Sequence, residues 1–161
     1  MTVVDHIEPR HLPDLAALFR SAWWLTDRTP AETTRILAES DLVLAVLAED
    51  NLVGFARVLT DYTQVALILD VVVSPDTRGS GHGATLLEAI VSHPSLQEVR
   101  SIELVCQPGL IPFYRRWGFT DEVGQSLLMR RSTRSSATTP DPKPSSPTSA
   151  ASLPSATTPS P

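Results

Sequence analysis

Residues Val65 to Val73 read Val-Ala-Leu-Ile-Leu-Asp-Val-Val-Val, nine positions of which only Asp70 is not apolar. Branched and aliphatic side chains at that density fit a strand covered on both faces, and so a central one. The lone carboxylate is expensive to bury unless something pairs with it. The chain then turns polar and glycine-rich from Ser74 to Gly83. Leu86, Leu87, Ile90 and Val91 follow at helical spacing and stop before Pro94. Strand, glycine-rich loop and helix in that order call for a sheet with helices on its faces.

The rest of the chain fits that frame. Thr2 to Glu8 reads as a first strand. Leu12, Leu15, Ala16, Phe19 and Ala22 form a helical stripe, broken by Trp23 to Arg28. Thr29 and Glu32 have capping-box spacing with Pro30 at the first helical position, so a second helix starts there. Leu42 to Ala48 and Leu52 to Leu59 flank the turn Glu49-Asp50-Asn51 as a hairpin. Val99 to Cys106 is a further strand. Pro112 to Trp117 is a short helix, with Gly118 as its left-handed cap. Phe119 to Met129 reads as a closing strand. The order is β-α-α-β-β-β-α-β-α-β, a mixed sheet flanked by helices, in the α/β (α+β) class, with no internal repeat.

Composition narrows the function classes. Of 161 residues 42% are apolar, which suits one globular domain. Thirteen basic against eighteen acidic side chains give a net charge of -5. Nucleic-acid binders gain affinity from a basic face, so no nucleic-acid partner is expected. The single cysteine, Cys106, can form neither an internal disulfide nor a multi-cysteine zinc cluster, and a reducing cytoplasm is the expected location. His6, His11 and His93 are scattered, and no metal is expected. No signal peptide is expected from Met1 to His6. No apolar run approaches the ~20 residues of a spanning helix, so no membrane partner is expected.

Residues 132–161 differ from the rest: 26 of the 30 are Pro, Ser, Thr or Ala. They cannot offset an ordering cost of about 1–2 kcal/mol per residue. A disordered tail is expected, a Pro-rich docking peptide being the alternative. The domain then spans residues 1–131.

The loop after the apolar strand is the most informative stretch. Glycines alternate at 79, 81 and 83 where a strand passes into a helix. Glycine lets main chain approach a ligand closely, and the helix start offers unpaired N–H groups, a setting that cradles phosphate or pyrophosphate. Arg78 adds a positive charge beside them. A ligand-free turn is the plain alternative. A Walker A loop would need Lys-Ser or Lys-Thr after the last glycine, where Ala84-Thr85 stands. A dinucleotide fingerprint would need G-x-G-x-x-G after a first strand.

The pattern that fits is Arg-x-x-Gly-x-Gly, and here the chain resembles the GNAT superfamily of acyl-CoA-dependent N-acetyltransferases. Phe113-Tyr114-Arg115-Arg116-Trp117-Gly118-Phe119, thirty residues beyond Gly83, is similar to that family's Phe-Tyr-x-x-x-Gly-Phe segment. The resemblance covers about residues 1–131. It implies a mostly antiparallel sheet that splays beside the strand ending at Cys106. It implies that acetyl-CoA is the co-substrate, with its pyrophosphate held by Arg78, Gly79, Ser80, Gly81, His82 and Gly83. His82 would contribute its main chain. The pantetheine arm would pair like a strand with Val71, Val72 and Val73. Gln107 stands where many relatives have Asn. Tyr114 matches a tyrosine that protonates the departing thiolate, and a homodimer is compatible with the family.

The chemistry can be argued separately. A neutral amine attacking a thioester builds an oxyanion. An N–H donor from Val71 or Val72 there is worth about 2.7–4 kcal/mol. A phenol near the sulfur would contribute about 10²–10⁴-fold as a general acid. For Tyr114 the alternative is a packing aromatic with its hydroxyl toward solvent. Asp70 is the candidate base or amine contact. Its alternatives are a carboxylate bonded by main-chain N–H groups or by an arginine such as Arg57, with water taking the proton. The resemblance places Trp23 and Trp24 on a segment that often walls the acceptor cleft, so one of them is expected to face the acceptor, core or lid packing being the alternative. Arg57 and Asp61 are further candidate substrate contacts, with ion-paired or solvated surface roles as alternatives. Cys106 as an acyl carrier is disfavoured, because direct transfer needs no covalent intermediate. The expected activity is direct acetyl transfer to a primary amine of a small molecule or a protein, the small molecule favoured. A non-catalytic acyl-CoA-binding or interaction module is the alternative.

Overall fold

The computed structural model describes residues 1–131. The chain runs β1 (Thr2–Val4), α1 (Leu12–Ser21), α2 (Pro30–Glu39), β2 (Leu42–Ala48), β3 (Asn51–Thr60), β4 (Val65–Val73), α3 (His82–Val91), β5 (Ser101–Leu104) and α4 (Ile111–Tyr114). The sheet has the order β1-β2-β3-β4-β5. Its first three pairings are antiparallel and β4–β5 is parallel. A parallel neighbour needs a crossover, and α3 supplies it.

The two sheet faces carry separate cores. Leu15, Leu18 and Phe19 of α1 are spaced to share one helix face, and pack on Val43, Ala45, Phe55 and Val72. Phe19 meets Phe55 edge-to-face at 5.4 Å between centroids. On the other face Leu86, Leu87 and Ile90 of α3 pack on Leu44, Val46, Ala56, Val58, Ala66 and Ile68. At the start of α2, Thr29 and Glu32 complete the reciprocal capping box, with Pro30 in the first turn. The hydroxyl of Thr29 accepts from Glu32 N–H, and the Glu32 carboxylate accepts from Thr29 N–H.

A bulge in β4 positions everything that follows. Phe55 pairs with Val72 and Arg57 with Leu69, so Asp70 and Val71 together face Ala56. Asp70 takes φ 56°, the left-handed region. Asp tolerates that region better than any branched residue, which explains why this one position of the run is not apolar. An extra residue reverses the alternation of side chains. Ala66 and Ile68 accordingly face α3, whereas Val72 faces α1.

β4 and β5 pair from Val65↔Ser101 to Ile68↔Leu104, where β5 ends. β4 continues to Val73, so on the β5 side Leu69 to Val73 have no strand beside them among the described residues. This is the splay implied by the resemblance.

Three expectations need correction. First, β3 is the middle strand, and β4 is flanked on both sides over only its first half. Second, β1 stops at Val4: the chain bends at Asp5 and His6 and enters the 3-10 turn Pro9–His11. Third, among the described residues no strand follows β5, although Phe119 to Met129 read as one. Arg115 ties back Asp121 at 2.7 Å, Thr120 accepts from Glu122 N–H, and Gly124 takes φ 73°. These local ties turn the chain where a strand needs it extended. Residues 124–131, a separate unit, contain no helix or strand. The proposed tail, 132–161, lies outside the described residues.

Candidate active site

The loop at the end of β4 exposes a row of main-chain donors. Pro75–Thr77 form a 3-10 turn, then Gly79 and Gly81 take φ 84° and 85°. Gly81 caps α3 with no side-chain bond to the helix start. The N–H groups of Gly79, Gly81, His82, Gly83 and Ala84 have no acceptor among the described residues. Nothing lies within 4 Å of where a Cβ would stand on Gly79 or Gly81, so their requirement is conformational and the space beside them is open. Gly83 differs: it has no left-handed backbone, and a Cβ there would stand 3.4 Å from Phe113 Cζ, in ordinary contact with α4. Ser80 and the Arg78 side chain are exposed. The His82 ring is buried, with Nδ1 3.1 Å from Met1 Sδ, which leaves its main chain to the loop.

These features suit a diphosphate followed by an extended arm. The N–H row gives anion donors without a competing acceptor, and the free edge at Leu69 to Val73 offers strand-type hydrogen bonds to an arm leaving the loop.

Tyr114 lies on α4 and is 7% exposed. Phe113 stands edge-to-face to it at 5.1 Å and Phe119 at 6.1 Å. Burial, with a smaller contribution from Cys106, pushes its pKa up to about 12. The phenol therefore keeps its proton at neutral pH, as a proton donor must. The Cys106 thiol is itself pushed up, by burial first and then by Asp121, so it is a poor nucleophile at neutral pH. Gln107 is exposed, and its carbonyl accepts from Leu110 N–H at 2.8 Å in the turn before α4.

Asp70 is the hub of a half-buried ion-pair cluster. Arg28 Nη1 donates to Oδ2 at 2.7 Å and Nη2 to Oδ1 at 2.8 Å. Arg57 Nε donates to Oδ2 at 2.6 Å, and its Nη1 reaches Ser40 Oγ at 3.4 Å. The Asp70 side chain is 8% exposed, so both oxygens are engaged by guanidinium groups away from bulk water. Arg28 was not among the sequence candidates. It sits in an irregular segment with no periodicity to betray its direction.

Trp23 and Trp24 lie on the same segment between α1 and α2. They are 70% and 44% exposed and meet edge-to-face at 5.6 Å. Ala22 and Leu25, their neighbours in sequence, are the buried ones. Asp61 is not brought to this region. Its Oδ1 accepts from Thr63, Gln64 and Val65 N–H in the β3–β4 loop, and these bonds, Val65 first, lower its pKa. That loop joins the opposite end of β4, roughly 20 Å along the strand from Val71. Among the described residues no group of three or more His, Cys, Asp or Glu could hold a metal ion. Among them no helix is long and apolar enough to cross a membrane.

Comparison with known proteins bears on the family and the fold. The profile of the Acetyltransferase (GNAT) family matches residues 10–119. The "Uncharacterized N-acetyltransferase ycf52" of Gracilaria tenuistipitata var. liui is 35% identical over 120 residues, 71% of this chain and 65% of that protein. The chain thus spans just under two thirds of the length of that curated relative. "Serotonin N-acetyltransferase 2, chloroplastic" of Oryza sativa subsp. japonica is 37% identical over 67 residues, 42% of this chain and 34% of that protein. A crystal structure of a GNAT-family acetyltransferase from Xanthomonas campestris pv. campestris superposes with a TM-score of 0.69 at 30% identity, covering 82% of this chain and 94% of that one.

Proposed function

The chain belongs to the GNAT acetyltransferase family, and on that premise we propose that it moves an acetyl group from acetyl-CoA directly to a primary amine. One observation carries the reading: the β4 edge left free beyond Ile68 runs straight into a loop of unpartnered N–H groups. A coenzyme with a diphosphate and an extended amide-bearing arm matches both features, and a phosphate alone would use only one.

Bound acetyl-CoA supplies an activated acyl carbon and a thiolate leaving group. The N–H groups of Gly79, Gly81, His82, Gly83 and Ala84 hold its diphosphate, with Arg78 and the Ser80 hydroxyl at the rim. The main chain of Val71, Val72 and Val73 hydrogen-bonds the arm. The N–H of Val71 or Val72, turned by the bulge, donates to the carbonyl oxygen as negative charge develops there. Tyr114 donates the proton that the departing sulfur takes up. Gln107 lies in the turn that leads to Tyr114 and adds an amide at the mouth.

Asp70 serves by position in this reading. Its oxygens are taken by Arg28 and Arg57, so water accepts the proton from the attacking amine. Arg57 belongs to that cluster, and Asp61 shapes the β3–β4 loop. Trp23 and Trp24 offer flat apolar surface on the α1–α2 segment, which favours a small amine with an aromatic or apolar body. The rice relative named for serotonin makes that amine the first to try. A single half-buried thiol suits a reducing compartment such as the cytoplasm, and two relatives, from Arabidopsis thaliana and rice, are named chloroplastic.

The test is free-thiol release from acetyl-CoA with a panel of serotonin, polyamines, aminoglycosides, amino acids and Lys- or N-terminal peptides. Amine-dependent release supports the proposal. Thermal stabilisation by CoA with no release from any amine would favour the non-catalytic acyl-CoA-binding module.

A further inference from the structure

We infer that Arg28 is a positioning residue: through Asp70 it locks the β4 bulge and so fixes the direction of the Val71 and Val72 N–H groups. The inference deepens the acetyl-transfer reading and rests on it for its kinetic consequence.

A left-handed Asp inside a strand persists only when its surroundings over-determine it. Three guanidinium N–H bonds do so here. Arg57 comes from β3 and pairs in register with Leu69, the residue before Asp70, so it spans the two strands at the bulge itself. Arg28 comes from 42 positions away and offers two parallel donors to the two oxygens, which fixes the plane of the carboxylate. The Arg28 guanidinium also lies 5.0 Å over the Phe19 ring, and Phe19 packs on Phe55, the residue paired with Val72. Arg28 therefore touches one side of the bulge through Asp70 and braces the other through two rings. Its own main chain is held just beyond, because Thr29 is the capped start of α2.

The charge balance fits positioning better than amine capture. Two guanidiniums share one carboxylate, so the cluster is positive by one and repels an incoming ammonium. A latch, by contrast, needs fixed geometry and a desolvated ion pair, and both are present: the Arg28 and Asp70 side chains are 19% and 8% exposed.

The experiment compares Arg28→Lys, which keeps the charge and loses the fork, with Arg28→Ala. The exposed Arg10→Ala serves as the control. Steady-state kinetics are read together with amide hydrogen exchange across β4. Arg28→Ala is expected to lower kcat by about tenfold or more while KM for acetyl-CoA stays within about twofold. Arg28→Lys should fall between it and the parent protein. Exchange should accelerate at Phe55, Arg57 and Leu69, in the β3–β4 pairs that flank the bulge, while α3 and the first turns of the β2–β3 hairpin keep their protection. Unchanged exchange at Phe55, Arg57 and Leu69 in Arg28→Ala overturns the latch. So does a loss of activity that Arg28→Lys does not relieve and that follows a fall in thermal stability alone. If the parent protein releases no thiol with any amine, acetyl transfer falls. The hydrogen-exchange comparison then still decides the latch on its own.

Discussion

Arg28 and Asp70 are 42 positions apart and meet through two hydrogen bonds of 2.7 and 2.8 Å, joining the segment between the first two helices to the bulge of β4. The pair sits between the two parts of the proposed site: a segment that exposes two tryptophans and a strand edge that aims main-chain donors. Arg57 makes it a cluster. Removing the carboxylate would leave two guanidiniums close together with no anion between them.

Asp70→Asn should therefore destabilise the domain by about 2–4 kcal/mol, since breaking a half-buried ion pair strands its partners. Asn tolerates the left-handed backbone, so the loss reports the charge. Asp70→Val should cost more, because a branched residue at positive φ adds strain. Urea unfolding of both variants checks the order, and equal stability of Asn and Val would contradict it.

Tyr114→Phe should lower kcat by about 10²-fold at neutral pH with little change in coenzyme affinity. It should also alter alkaline stability. The folded state holds the phenol proton more tightly than the unfolded chain, with a pKa of about 12 against the ordinary 10.0. That contribution is complete below pH 10 and is lost as pH rises toward 12. It amounts to about 2–3 kcal/mol at ~1.4 kcal/mol per unit. The Phe variant should lack this part of the decline, as chemical unfolding between pH 9 and about 12 would reveal. An identical slope in both proteins would remove the buried phenol from the explanation.

Gly81→Ala and Gly83→Ala should separate. At Gly81 the backbone is left-handed and the neighbouring space open, so alanine costs about 1 kcal/mol of stability. Its methyl also projects where a diphosphate would lie, so CoA affinity should fall by about tenfold or more. At Gly83 the added methyl meets Phe113 at 3.4 Å, ordinary contact, and alanine is the better helix former. Gly83→Ala should stay within about 0.5 kcal/mol of the parent. Calorimetric titration with CoA and thermal unfolding together read both effects.

Asp61→Ala should leave acceptor KM within about twofold, because its carboxylate is committed to its own loop. The hydrogen bonds from Val65, Thr63 and Gln64 lower its pKa, so the loop is held above the ordinary carboxylate range and loosens as pH falls through it. A large rise in KM for a cationic amine would instead restore Asp61 as a substrate contact.

Much of this architecture was legible because local signals agreed with each other. Thr29, Pro30 and Glu32 spelled a helix start that forms as read. Gly118 announced a left-handed cap and has φ 80°. The alternating glycines marked the loop, although only two of the three need positive φ, and at the third a methyl would make ordinary contact with Phe113. What stayed hidden was non-local. Asp70 stood out as a charge in an apolar run, but its backbone angle depends on pairing with Arg57, and its second partner lies in an irregular segment. The closing strand was misread because Val123, Leu127 and Met129 have strand-like composition, whereas the Arg115–Asp121 tie and Gly124 bend the chain through bonds that composition does not encode. Asp61 looked available because a carboxylate in a turn resembles a free one until its three N–H partners are placed.

The central claim is that bare main-chain donors after β4, with the free edge of β4 itself, grip a diphosphate-bearing thioester coenzyme. Amide-resolved NMR titration of the protein with CoA measures this directly. The account predicts saturable shifts concentrated at residues 79–84 and 69–73, with residues 61–65 at the far end of β4 barely affected. Saturable shifts centred elsewhere, or none at all in well-folded protein at millimolar CoA, would contradict it.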